Sequence, residues 1–200
     1  LSSFKLSGIK DTILGLLGDK VIFFAAVVIL GFALSKVLIN LVNAPFGWDN
    51  LNYHFVFPVE WLKQGNLDIP ITISDDPSPS YYPVNGSLFF LWLIFPFKSV
   101  FMADLGQLPF FILAHLSLYS IGIKLGLGRT NAFLSACLFT LIPNYFKQLQ
   151  IAYVDVMVAA LFFAALNALL ILKNSFTENI LKQTLKKNTM ARLTTKVNPI

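Results

Sequence analysis

The chain has 200 residues, of which 56% are hydrophobic and only 12% charged, and its mean hydropathy is +0.70. A soluble domain carries about twice that charge fraction, so this composition excludes a soluble helical domain and points to a polytopic membrane protein. The net charge of +5 does not point to nucleic acid, because the lysines cluster at the ends of apolar runs instead of forming a basic patch with interleaved aromatics.

The first 20 residues mix Lys5, Lys10 and Lys20 with Asp11 and Asp19. "IKDTILGLLGDK" reads either as a short amphipathic helix on the membrane surface or as a frayed terminus. Residues 21–43, "VIFFAAVVILGFALSKVLINLVN", are long enough to span, since about 20 residues at 1.5 Å each cover a hydrocarbon core of roughly 30 Å. Lys36 interrupts the run near its far end. It is expected to snorkel outward, with a phosphate contact as the alternative. The long first run has no small-residue cleavage site after it, which argues against a cleavable signal. The first residue is Leu and the end reads "TTKVNPI", so the chain is expected to be a fragment of a longer protein.

Residues 44–84 form a polar loop opened by Pro45 and Gly47. Within it "WDNLNYHFVFPVEWLKQGN" is expected to be an amphipathic helix despite Pro58, with Trp48, Phe55 and Trp61 at the water–lipid boundary. "LDIPITISDDPSPSYYP" is expected to be irregular. Long irregular loops more often carry function than not.

Residues 85–101 are apolar but short, limited by Pro96 and Lys98, and read as a re-entrant or interfacial helix or a short span. Residues 103–124 make a second span, and "LGLGR" a tight turn. Residues 131–147, broken by Pro143, make a third, and residues 152–172 a fourth. The segment 173–200 carries Lys173, Lys182, Lys186, Lys187, Arg192 and Lys196 against Glu178 alone. The fold class is therefore all-α: a transmembrane bundle of about four spans with interfacial helices in the first outer loop. Basic loops stay cytoplasmic, so residues 1–20, the 124–129 turn and a 173–200 tail are expected on that side. The 44–102 loop and the 148–153 loop share the other side.

The residues able to carry chemistry collect there. Asp49 follows the outer end of the first span, and Asp155 lies one turn into the fourth apolar run. Boundary acids are costly and often functional. The plain alternatives are a helix cap for Asp49 and a hydrogen bond to a neighbouring span for Asp155. His54 lies five residues after Asp49, about 140° around an α-helix, while Tyr53 at i+4 lies closer. His54 suits a metal ligand, a phosphate contact, an acid–base group or an ordinary hydrogen-bonded boundary residue. His115 is expected to hydrogen-bond between helices. Asp75 and Asp76 lack the spacing and glycine of a calcium loop and read as solvated turn residues. Cys137, the single cysteine, excludes an internal disulfide and a cysteine-rich metal site. Walker, GxSxG and HExxH motifs are absent.

"WDNLNYHFVFPVEWLKQGNLD", "YYPVNGSLFFLW" and "YVDVMVAALFF", in that order, resemble the N-terminal part of membrane glycosyltransferases of the GT-C fold. The nearest group is family-39-like, the dolichyl- or polyprenyl-phosphate-sugar-dependent mannosyltransferases and arabinosyltransferases. The resemblance covers about residues 20–172 and rests on short motifs. It matches Asp49 to the acid of the first outer loop, Tyr53 and His54 to a "YH" pair, and Asp155 to a second acid at the outer end of a later span. Such enzymes have many more spans than this chain.

The resemblance implies inverting sugar transfer from a polyprenyl-phosphate donor to an acceptor glycan, lipid or protein outside the cytoplasm. The protein would be integral to the cell membrane and 21–172 would be the catalytic part. Asp49 would be the base, and Asp155 would orient the acceptor or help hold a divalent metal ion, on which the family varies. Lys36, His54, Tyr53 and Glu60 would contact substrate, with Lys36 and His54 as candidates to stabilise the leaving phosphate. The competing readings are a transporter or flippase segment, which predicts broken spans with inverted repeats, and a non-catalytic membrane assembly subunit.

Overall fold

The computed structural model describes residues 14–15, 18–70, 76–101 and 103–197, with side chains as far as residue 184. Every regular element among them is helical. Most of "IKDTILGLLGDK", Asp75 and the side chains of Lys186, Lys187, Arg192 and Lys196 lie outside the described residues.

Helix α1 (Lys20–Val42) begins at Asp19, whose carboxylate accepts from the Val21 and Ile22 backbone N–H groups at 2.8 and 3.4 Å. That satisfies donors the first turn leaves open. Its residues are mostly apolar, with Lys36 and Asn40 near the far end, and Phe24, Leu30, Leu34 and Leu38 stay exposed, as a lipid-facing helix requires. After the outer loop, which holds a π-helical turn (Asn50–His54) and α2 (Val56–Gln64), the chain enters α3 (Asn85–Ile94). A 3-10 turn (Ala103–Gln107) leads into α4 (Leu108–Lys124), followed by α5 (Arg129–Thr140), α6 (Pro143–Lys147) and α7 (Asp155–Val197).

Among the described residues, three stretches are long and apolar enough to cross a membrane: Lys20–Val42, Ala103–Lys124 and Asp155–Thr184. The expected span over 131–147 divides. Pro143 has no N–H to give, and Ile142 before it is driven out of the helical region, to ψ 124°. What remains is α5, 12 residues or about 18 Å, and the five-residue α6. The ten residues of α3 reach about 15 Å, half of a crossing.

Helix α4 occupies the middle, packed on both α5 and α7, and α1 lies against α5. A Cβ on Gly122 would sit 3.0 Å from that of Ala132, which is why α4 and α5 approach closely. His115 Nδ1 meets Thr140 Oγ1 at 3.4 Å across the same interface. Two side-chain bonds mark one end of the bundle: Thr130 to Asp19 at 2.6 Å and Lys124 to Asn167 at 2.9 Å. At the other end Lys36 reaches Gln150 at 2.7 Å, and Asn40 reaches the carbonyls of Asp104 and Leu149. The outer loop, the 103–107 turn and the 148–153 connection thus gather at one end, and the 124–129 turn lies at the other.

The core at the loop end joins Phe55, Phe90, Ile94, Ala103, Ala152 and Met157. Trp61 is 3% exposed and Phe55 4%, so both belong to the interior, and only Trp48 stays at the surface. The Trp61 Nε1–H donates to the Asp68 carbonyl at 2.8 Å, so its ring folds the loop back over α2 instead of anchoring it in lipid. Gly65, at φ 70°, closes α2 in the left-handed conformation that glycine adopts freely.

Asn50, fully buried, ties this end together: its Nδ2 donates to Asp104 Oδ1 at 3.4 Å and its Oδ1 accepts from the Ala152 N–H. Replacing Asn50 by Leu is expected to cost about 1–3 kcal/mol for each buried group left unpaired, read as a lower thermal midpoint in detergent.

Candidate functional site

The site begins where α1 ends. Gly47, at φ 104°, turns the chain, and the Phe55 N–H bonds the Asn50 carbonyl at 3.1 Å, a wider turn than an α-helix makes. Pro58 lies in the first turn of α2, where its missing N–H costs little, but it leaves the His54 carbonyl without that helical donor. The expected single amphipathic helix is therefore a π turn followed by a restarted α-helix. The wider register alters the 140° offset predicted between Asp49 and His54.

Asp49 is half-buried and caps nothing; its side chain makes no cap bond. Burial raises its pKa, the Tyr53 hydroxyl donating toward it pulls the other way, and the nearby charge of Asp155 raises it further. Tyr53 is pushed up by burial and by that same bond, so its hydroxyl stays protonated and remains a donor. Asp155 is exposed and is the first residue of α7, not one turn inside it. There a negative charge also suits the helix N-terminus. Gln148 Nε2 donates to its Oδ2 at 3.2 Å, so its bond comes from the preceding connection and not from a neighbouring span.

The structure thus brings Asp49, Tyr53 and Asp155 together, with His54 adjacent. The Tyr53 and His54 ring centroids are 4.1 Å apart, and Tyr82 stands edge-on to Tyr53 at 5.6 Å. His54 Nδ1 lies 3.1 Å from Ser87 Oγ, and burial pushes the imidazole down to about 4, so it is neutral at pH 7. Beside these groups a cavity of about 600 Å³ opens between α3, α4 and α7. Tyr53, His54 and Tyr82 contribute to its lining, and most of the rest is apolar, including Phe89, Phe110, Met157 and Leu161. Gly86 holds α3 against the start of α7: any Cβ there would overlap Val154.

Two expected substrate contacts lie apart from this group. Lys36 is bound to Gln150 and sits 4.9 Å over the Phe146 ring, so it does not snorkel freely. Glu60 pairs with Lys63 at 2.7 Å and lines a separate cleft with Pro45 and Val100. Asp76 forms its own turn, accepting from Ser78 N and Oγ at 2.9 and 2.6 Å.

Sequence reasoning did not single out Tyr82, Ser87, Gln148 or the buried Asp104. Tyr82 and Ser87 stood within the quoted "YYPVNGSLFFLW", but nothing local marks them as neighbours of Tyr53 and His54. A divalent ion would find two carboxylates here, and no group of three His, Cys, Asp or Glu suited to a metal occurs among the described residues. No family model, curated protein or solved structure matches the chain.

Proposed function

We propose that this chain is the acid-bearing part of an integral membrane glycosyltransferase that moves a sugar from a polyprenyl-phosphate donor to an acceptor hydroxyl on the non-cytoplasmic side. The observation that carries the reading is a half-buried carboxylate of raised pKa, Asp49, hydrogen-bonded by Tyr53, which with His54 and Tyr82 also lines a largely apolar cavity. A lipid-linked sugar needs that combination: an apolar slot for the chain and polar groups where it meets a water-borne acceptor. The broken 129–150 segment would cross as the fourth span, keeping the basic ends on the cytoplasmic side.

In the reaction the acceptor hydroxyl oxygen bonds to the anomeric carbon, and the bond from that carbon to the phosphate oxygen breaks. The electron pair leaves on the lipid phosphate, the configuration inverts, and the hydroxyl proton passes to Asp49. Tyr53 orients the Asp49 carboxylate, burial and then the Asp155 charge raise its basicity, and Asp155 orients the acceptor.

The test is transfer from radiolabelled polyprenyl-phosphate mannose, glucose, galactose and arabinose by membranes containing the full parent chain. Label leaving the donor in the wild type and retained with Asp49→Asn supports the reading. Equal transfer by both proteins removes Asp49 from the chemistry and returns the acid pair to a boundary role.

A further inference from the structure

His54 is 2% exposed, and its Nε2 is buried with no hydrogen-bond partner. Buried polar atoms are seldom left this way. The ring is held on several sides. Ser87 Oγ meets Nδ1 at 3.1 Å, the Tyr53 and Phe90 rings stand at 4.1 and 5.8 Å, and a Cβ on Gly86 would fall 3.2 Å from Cε1. It therefore has little freedom to swing toward another partner. Packing accounts for an aromatic ring at this position but not for an unpaired nitrogen, since phenylalanine would fill the space without burying one. The same residue forms part of the cavity wall.

Ser87 gives the nitrogen its chemistry. When the Ser87 O–H donates to Nδ1, the single proton of a neutral imidazole resides on Nε2, which becomes a donor. We propose that the His54 Nε2–H is a specificity-determining donor to a hydroxyl oxygen of the transferred sugar, and that Ser87 is the positioning residue that fixes the tautomer. The proposal rests on the transferase reading of Asp49 and adds the group that recognises the sugar. A donor of this kind suits an uncharged oxygen. Because burial keeps the ring neutral at pH 6–8, it brings no positive charge to an anionic phosphate. The lipid phosphate is the other oxygen source, and the two are separable by experiment.

The experiment uses the full parent chain in nanodiscs and measures equilibrium binding of two probes. One is the set of polyprenyl-phosphate sugars above; the other is polyprenyl phosphate without a sugar. His54→Phe is expected to weaken the preferred sugar lipid about tenfold, the scale of one lost hydrogen bond, and to leave the bare phosphate lipid unchanged. His54→Gln, whose amide N–H reaches toward the Nε2 position, should stay within about threefold of wild type. Ser87→Ala should show an intermediate loss. Thermal midpoints of all variants separate lost recognition from lost folding.

Equal weakening of both lipids would move the contact to phosphate and overturn the proposal. So would a folded His54→Phe protein that binds sugar lipid like wild type. Wild type that binds and transfers while His54→Phe changes nothing sinks the role of His54 alone. Wild type that binds neither lipid sinks the transferase reading with it.

Discussion

Asp49→Asn is expected to lower sugar transfer by about 10²–10⁴-fold, the usual worth of a general base, with binding of the donor retained. The isosteric amide keeps the shape and the contact with Tyr53 but cannot take a proton. Stability should not fall with activity. The folded-state pKa of Asp49 is raised by burial and by Asp155, so the folded protein favours the protonated carboxyl. Such a group contributes its full stability below the unfolded pKa and loses it as pH rises through the folded value. At pH 7 the ionised Asp49 is therefore a cost, and Asn removes it. The thermal midpoint of Asp49→Asn at pH 7 should equal or exceed that of wild type, and the difference should shrink toward pH 4. A variant that loses activity because it unfolds would show the opposite order.

The same charge pair predicts a pH effect. Asp49 acts as a base only when ionised, so transfer falls as pH drops through its raised pKa. Asp155→Asn removes one cause of that rise, and the acid limb of the pH–rate profile should move to lower pH. An unmoved limb in a protein that retains measurable transfer would mean that the two acids do not act on each other.

Phe90→Ala carries the largest expected stability loss, about 3–5 kcal/mol. Phe90 is 0% exposed and stands edge-on to Phe55 at 5.2 Å and to Phe89 at 5.5 Å, with His54 at 5.8 Å. It joins α3 to the π turn and to the start of α7, so truncation opens a void where three separate stretches of chain meet. Trp92 on the same helix is 78% exposed, and Trp92→Ala should stay within about 0.5 kcal/mol. Denaturant titration in detergent compares the two. Equal losses would place the packed face of α3 elsewhere and weaken the account of how His54 is held.

Much of the architecture is legible in the residues themselves. Hydropathy and length mark runs at 21–43, 103–124 and 152–172 that match the apolar helices Lys20–Val42, Ala103–Lys124 and Asp155–Thr184 in place though not in bounds, since the last runs beyond 172, and they also mark 131–147, which Pro143 divides. The same local logic marks Pro143 as a break and puts Asp49 and Tyr53 on one side of a turn. It could not tell Trp61 and Phe55 from boundary aromatics. An aromatic ring is as suited to a core as to an interface, and the choice lies with the partners that arrive from α3 and α7. Nor could it find Ser87 beside His54, 33 positions away, or Asn50 beside Ala152, 102 positions away. Composition and periodicity thus determined an all-helical, membrane-compatible chain with acids next to its apolar runs. Only the tertiary packing decided that those acids lie near each other, that Lys36 and Glu60 stand apart from them, and that one nitrogen of His54 is left unpaired. Contacts between distant segments depend on how helices dock, and no local pattern records that.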